Sequence, residues 1–175
     1  ILDAGLSPVS GALKTSLFER TPGYAKVLLD YYEMQKGEAI IIISNSGVNA
    51  VPVEMAMEAK NRGLTVVAIT SHEFSSSVPA RHPSGKRLFE LADVVIDNYV
   101  PPGDALVEVK GMVQKVGPVS TILNSAILHS ITLCTVEKLL EKGVEPPIYM
   151  SANLPKGDEF NRRLFKKYKP RFKHL

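Results

Sequence analysis

Cysteine is almost absent from this chain: of 175 residues, only Cys134 carries a thiol. An internal disulfide framework and a Cys-based zinc cluster are thereby excluded, and the expected setting is a reducing one, the cytoplasm. Long apolar runs are also missing. The longest are too short or too interrupted to span a bilayer, so no membrane partner is expected. No positively charged leader precedes an apolar stretch, and no secretory signal is read. The glycine fingerprints G-x-G-x-x-G and G-x-x-x-x-G-K-[ST] do not occur, nor does the G-x-S-x-G elbow, which removes the dinucleotide, P-loop and serine-elbow readings. No His, Asp and Glu cluster has a metal-binding spacing, so no metal site is expected, and nothing calls for a cofactor. A helix-turn-helix segment is lacking as well, which disfavours a self-contained transcriptional regulator.

Charge of one sign is scarce only in places. The formal net charge is +3, but seven of the 21 Lys and Arg residues lie from Arg162 onward, where there is no acid. The rest has 14 basic against 18 acidic residues, a mildly acidic body with a basic tail. No body-wide nucleic-acid footprint is expected, and the tail reads as a solvated charge run. The 45% hydrophobic content suits one globular domain, expected over residues 1–161, with the tail at 162–175.

What is present is organised around A-I-I-I-I-S-N-S-G-V-N at 39–49. A short β-branched run fits a strand buried on both faces. It leads into a turn with Ser44, Ser46 and Asn49, where Gly47 permits positive φ or close approach. Residues 52–62 are good helix formers and Gly63 is a natural stop. The turn therefore joins the carboxyl end of a strand to a helix amino end, where free N–H groups and the dipole favour an anion such as a phosphate monoester. The bland alternative is an ordinary turn with Asn49 as N-cap.

Around this lie other elements. Ile1 to Arg20 reads as loop with a short helix, its turns capped by Asp3, Ser7 and Ser10. Gly23–Lys36 has the apolar period Tyr24, Val27, Leu28, Tyr31, Tyr32 of a helix. Thr65–Thr70 is a second buried strand ending in hydroxyls at Thr70 and Ser71, and the pair forms a right-handed βαβ unit. A long polar loop runs over 71–84, followed by a short helix over 86–91 and a strand over 93–97. A short strand or a hairpin around Gly111 comes next, over 106–116. The longest helix begins at Pro118 and is apolar on most faces, which predicts burial in a core or a subunit interface. Asp158 is the expected cap of a last helix ending at Tyr168.

S-N-S-G at 44–47, the strand ending Thr70-Ser71, A-D-V-V-I-D at 92–97 and G-P-V-S-T at 117–121 together resemble the SIS (sugar isomerase) family of phosphosugar-binding domains. S-N-S-G-V-N-A-V-P-V-E-M-A, R-H-P-S-G-K and E-P-P-I-Y-M-S-A-N look closer to a subgroup labelled phosphoheptose-isomerase-like. The resemblance implies a flavodoxin-like three-layer α/β/α sandwich around a parallel sheet, with phosphosugar at the carboxyl ends of the strands. It also implies a homodimer or homotetramer. The family's phosphate-binding hydroxyls fall on Ser44, Ser46 and, in place of the usual Thr, Asn49; Asn45, Gly47, Thr70 and Ser71 complete the expected phosphate set. An earlier strand with a Gly/Ser-rich turn, usual in the family, has no match in Ile1–Arg20. It either precedes Ile1 or is lacking.

An aldose–ketose isomerase also needs a base. Glu54 is the candidate, against a surface Glu at a helix start. His82 is a candidate acid/base for ring opening, in a loop where Arg81, Ser84 and Lys86 form a candidate lid; the alternative is an exposed basic loop. His129 and Cys134 are read as core or interface packing. Three functions stay open: a sugar-phosphate isomerase, a non-catalytic sugar-phosphate sensor or binding subunit, and an amino-sugar-phosphate lyase or etherase.

Overall fold

The computed structural model describes every residue except 2, 8, 10 and 173–175. Ser10 and Lys173, assigned above to a cap and to the tail, lie outside the described residues. Those described fall into two compact units, Asp3–Ile127 with Ile1, and a second from Leu128 onward.

In the first unit, α1 (Ala12–Glu19) and α2 (Tyr24–Tyr32) precede β1 (Ala39–Ile43), α3 (Ala50–Asn61), β2 (Thr65–Thr70), α4 (His72–Ser77), α5 (Leu88–Leu91) and β3 (Val94–Asp97). The three strands form a parallel sheet in the order β1-β2-β3. The register pairs Ile43 with Ile69 and Thr70 with Asp97. All three carboxyl ends therefore meet at one edge. There Ser44 N–H donates to Ile69 O, Ser71 N–H to Asn45 O and Asn98 N–H to Thr70 O. This is the α/β architecture, with helices beside a parallel sheet, expected of a SIS-type sandwich. A hairpin, β4 (Ala105–Val107) and β5 (Val116–Pro118), follows and leads into α6 (Ser120–Glu141).

Alternation decides the core. Ile40, Ile42, Val66 and Ala68 point to one face and are buried with Ala25, Leu28 and Leu29 of α2 and Val51, Met55, Ala56 and Ala59 of α3. A fully buried side chain such as Leu29 contributes roughly 1.5–3 kcal/mol.

Several expectations need correction. β1 is not buried on both faces: Ile41 and Ile43 are 39% and 40% exposed. β1 is an edge strand, and a groove of about 550 Å³ runs beside it, lined by Leu6, Thr15 and Met34 among others. No strand precedes Ala39 among the described residues. α2 ends at Tyr32, where Glu33 takes a left-handed φ of 51°, and packing against α3 buries Ala25, Leu28 and Leu29 while Val27 and Tyr31 stay exposed. The polar 71–84 stretch is not all loop: Ser71 Oγ accepts the Phe74 N–H and starts α4. α6 has no fully buried residue: Ile127, Leu128 and Ile131 are half-buried while Ile122, Leu133 and Leu140 are exposed, so the core alternative fails and the subunit-interface alternative is left standing. Cys134 is exposed rather than packed, and His129 is exposed too, so it is not a core residue of this chain.

The second unit holds most of α6 and α7 (Gly157–Tyr168). α7 starts after Lys156, whose left-handed φ of 66° makes it the cap position; Asp158 lies within the first turn instead. The Asn161 amide clamps the extended stretch before it, accepting from Met150 N–H at 2.9 Å and donating to Met150 O at 2.7 Å. Tyr149 stacks on Phe165. No helix among the described residues is long and apolar enough to cross a membrane.

Candidate functional site

The strand ends carry a cavity of about 390 Å³ lined by Ser44, Asn45, Ser46, Asn49, Glu19, Ile43, Phe74, Gly103, Asp104 and Asn124. The turn holds its shape through Gly47. Its φ is +57°, and a Cβ there would lie 3.0 Å from Leu88 Cβ and 3.3 Å from Thr70 Oγ1. Only glycine meets both demands without strain. Gly47 N–H donates to Ser44 Oγ at 3.2 Å, which closes the turn.

Asn49 occupies the N-cap position of α3 but does not cap it. Its Oδ1 instead accepts from Arg81 Nη1 at 3.1 Å. Among the described residues, neither Ala50 nor Val51 N–H meets an acceptor. An uncapped helix start beside two serines is an anion-binding arrangement. The charge around it is otherwise unhelpful to an anion: among the described residues the lining has no Lys, Arg or His, and it includes the carboxylates of Glu19 and Asp104. Asp104 is fully engaged, accepting from Val119 N–H, Ser120 N–H and Ser120 Oγ at the start of α6. Any anion here would be held by neutral donors.

Thr70 and Ser71 point inward. Both are fully buried; the Thr70 hydroxyl donates to Asn45 O, and Ser71 Oγ caps α4. They shape the turn and do not line the cavity. Glu54 and His82 come together, with His82 Nε2 3.5 Å from Glu54 Oε1. Ser84 N–H donates to His82 Nδ1 at 3.2 Å, so the neutral ring carries its proton on Nε2, toward Glu54. Glu54 Oε2 accepts the Gly23 N–H at 2.7 Å. This pair is not part of the cavity lining. Of the lid candidates, Arg81 reaches Asn49, Ser84 holds His82, and Lys86 is exposed, its backbone N–H donating to Ser84 Oγ. Arg81 N–H and Leu88 N–H also donate to Val48 O and Gly47 O, fastening the 81–88 segment to the turn.

Sequence reasoning missed Asn98, Asp104, Asn124 and Glu19. Asn98 had a signal: it directly follows β3, as Ser44 follows β1 and Ser71 follows β2. Asn124 had a weaker one, an amide within an apolar helix. Glu19 and Asp104 had none.

Among known proteins, residues 1–71 match the SIS domain. The chain is 45% identical over 177 residues to a UPF0309 protein of Caldanaerobacter subterraneus subsp. tengcongensis, covering all of this chain and 72% of the relative. It is 46% identical to a UPF0309 protein of Oceanobacillus iheyensis over 95% of this chain and 68% of that one. For a UPF0309 protein of Shouchella clausii the figures are 45%, 92% and 65%. A SIS domain implies binding of a phosphosugar or another carbohydrate derivative.

Proposed function

Since the chain belongs to the UPF0309 family and carries a SIS domain, we propose that it binds a sugar phosphate at the Ser44–Asn49 turn and interconverts its aldose and ketose forms. One observation carries the reading: Ser44 and Ser46 line an open cavity beside a helix start whose Ala50 and Val51 N–H groups are unpartnered among the described residues. Hydroxyls and backbone N–H groups are the donors a phosphate dianion accepts from. The segments that resemble the phosphoheptose-isomerase-like subgroup support the isomerase half.

In this reading Glu54 takes the proton from the carbon beside the carbonyl and returns it to the neighbouring carbon, and His82 moves protons between the oxygens. The 3.5 Å Glu54–His82 separation supports their acting as a pair. Arg81, Ser84 and Lys86 belong to the segment that would close over the sugar. The working form is a cytoplasmic homodimer or homotetramer, supported by the exposed apolar residues Ile122, Leu123, Leu133 and Leu140 on α6.

A second reading, a non-catalytic sugar-phosphate sensor, is favoured by a different fact. Neither Glu54 nor His82 lines the cavity. One experiment separates the two. A thermal-shift screen with a panel of sugar phosphates identifies a ligand, which must raise the melting temperature of the folded state. That ligand is then incubated with the protein in D2O and followed by NMR. An isomerase incorporates deuterium at the carbon beside the carbonyl and loses this in Glu54→Gln; a sensor binds without incorporation. A flat screen would sink both readings.

A further inference from the structure

Three asparagines meet at the cavity wall. Asn98 Nδ2 lies 2.8 Å from Asn45 Oδ1 and 2.8 Å from Asn124 Oδ1. Asn98 Oδ1 accepts the Val100 N–H at 3.1 Å. That last bond fixes the whole set. A backbone N–H can only donate, so the Asn98 oxygen must face it and the Asn98 NH2 must face the other two amides. Asn45 and Asn124 then have to present their oxygens to Asn98. Their NH2 groups are what remains for the cavity, which both side chains line. Asn124 Nδ2 reaches Asn45 Oδ1 only at 3.4 Å, and Asn45 Nδ2 has no partner among the described residues. Asn98 is 4% exposed, so the orienting amide is shielded from water that could substitute for either neighbour.

Building on the carbohydrate-phosphate reading of this cavity, we infer that Asn45 and Asn124 read an acceptor-only oxygen, the carbonyl of an open-chain sugar phosphate, and that Asn98 is the positioning residue that keeps them donors. A carbonyl oxygen can accept from both NH2 groups at once, and neither amide can turn its own oxygen toward a hydroxyl proton without leaving Asn98 unpaired. Within the carbohydrate-phosphate reading of the cavity, the acceptor-only oxygen left to meet these groups, besides the phosphate itself, is the carbonyl of the sugar. The ligand class is therefore a ketose or aldose phosphate in its open form.

The probes are D-ribulose 5-phosphate, which cannot close a furanose ring because its 5-oxygen is esterified, and D-ribitol 5-phosphate, which has an alcohol in place of the ketone. Inorganic phosphate is the third probe. Affinities are measured by titration calorimetry for the parent chain, Asn124→Leu and Asn98→Asp. In Asn98→Asp the new carboxylate would still accept from Val100 but could donate to neither amide, so Asn45 and Asn124 would swing their NH2 groups toward it. Its added charge weakens all phosphate probes alike, so the ratio of the two sugar affinities is the readout.

The parent chain is expected to favour ribulose 5-phosphate by about tenfold or more. The ratio should fall toward one in both variants. Asn124→Leu, at a partly exposed position, keeps the test open should Asn98→Asp not fold. An unselective parent, or variants that keep the preference, would overturn the amide assignment while binding of ribitol 5-phosphate and inorganic phosphate leaves the phosphate site standing. If none of the three probes binds the parent, the assignment and the phosphate reading fall together.

Discussion

The turns after β1 and β2 are built from the same materials and finish differently. Each is a strand running into hydroxyls and then a helix. After β2, the Ser71 hydroxyl caps α4, the Thr70 hydroxyl is taken by Asn45 O, and both side chains are fully buried. After β1, Asn49 turns away to Arg81, α3 starts uncapped, and Ser44 and Ser46 line a cavity. The first arrangement holds the fold together and the second leaves donors for something else. A hydroxyl at a strand end is thus not a binding group by position alone; what matters is whether the chain itself supplies its partner.

The sharpest way to break this contrast is at the hinge of the open turn. Gly47→Val forces a β-branched residue to positive φ and into Leu88, and should cost about 2–4 kcal/mol by urea denaturation. Next, Ser46→Ala should leave stability within about 0.5 kcal/mol, yet lower the affinity for the best sugar phosphate about tenfold, or 1.4 kcal/mol, in a calorimetric titration. Ser71→Ala should do the reverse: a loss of about 1 kcal/mol in unfolding free energy with ligand affinity unchanged. Equal effects from these two serines would erase the distinction. The smallest effect lies at the opposite end of the sheet. Asp93 is bonded to Lys60 Nζ and the Val66 N–H, and the Lys60 contact, then the Val66 one, holds its pKa below the ordinary 3.8. A lowered folded pKa contributes stability above the ordinary value and loses it as pH falls through the folded one. Asp93→Asn should therefore flatten the acid limb of the melting-temperature profile and leave the phosphate-binding turn unchanged.

Much of this was legible from local chemistry. The first two strands, the Gly63 stop and the hairpin around Gly111 follow from β-branched runs and turn residues. The turn at Ser44 was visible because Ile, Ser and Gly change character within a few positions. What escaped depended on partners that the residues' own positions do not announce. Thr70 and Ser71 look as free as Ser44 until the Asn45 carbonyl and the α4 amide are seen to engage them. α2 buries Ala25 and Leu29 rather than Val27 and Tyr31 because α3 selects the face, and periodicity alone left two adjacent stripes to choose from. Asn98 and Asn124 are 26 residues apart, and no local pattern announces their meeting. The apolar faces of α6 were correctly read as apolar, but none of their residues is fully buried.

The stitching of residues 81–88 onto the turn has a practical corollary. The Arg81 and Leu88 amide protons rest on Val48 O and Gly47 O, the two carbonyls that follow the φ-positive bond of Gly47. A guest that stiffens or reshapes that corner would shift both resonances and slow their exchange with deuterium, although neither residue borders the cavity. Two reporter signals, readable in a heteronuclear spectrum without labelling the guest, are thus wired into the backbone next door.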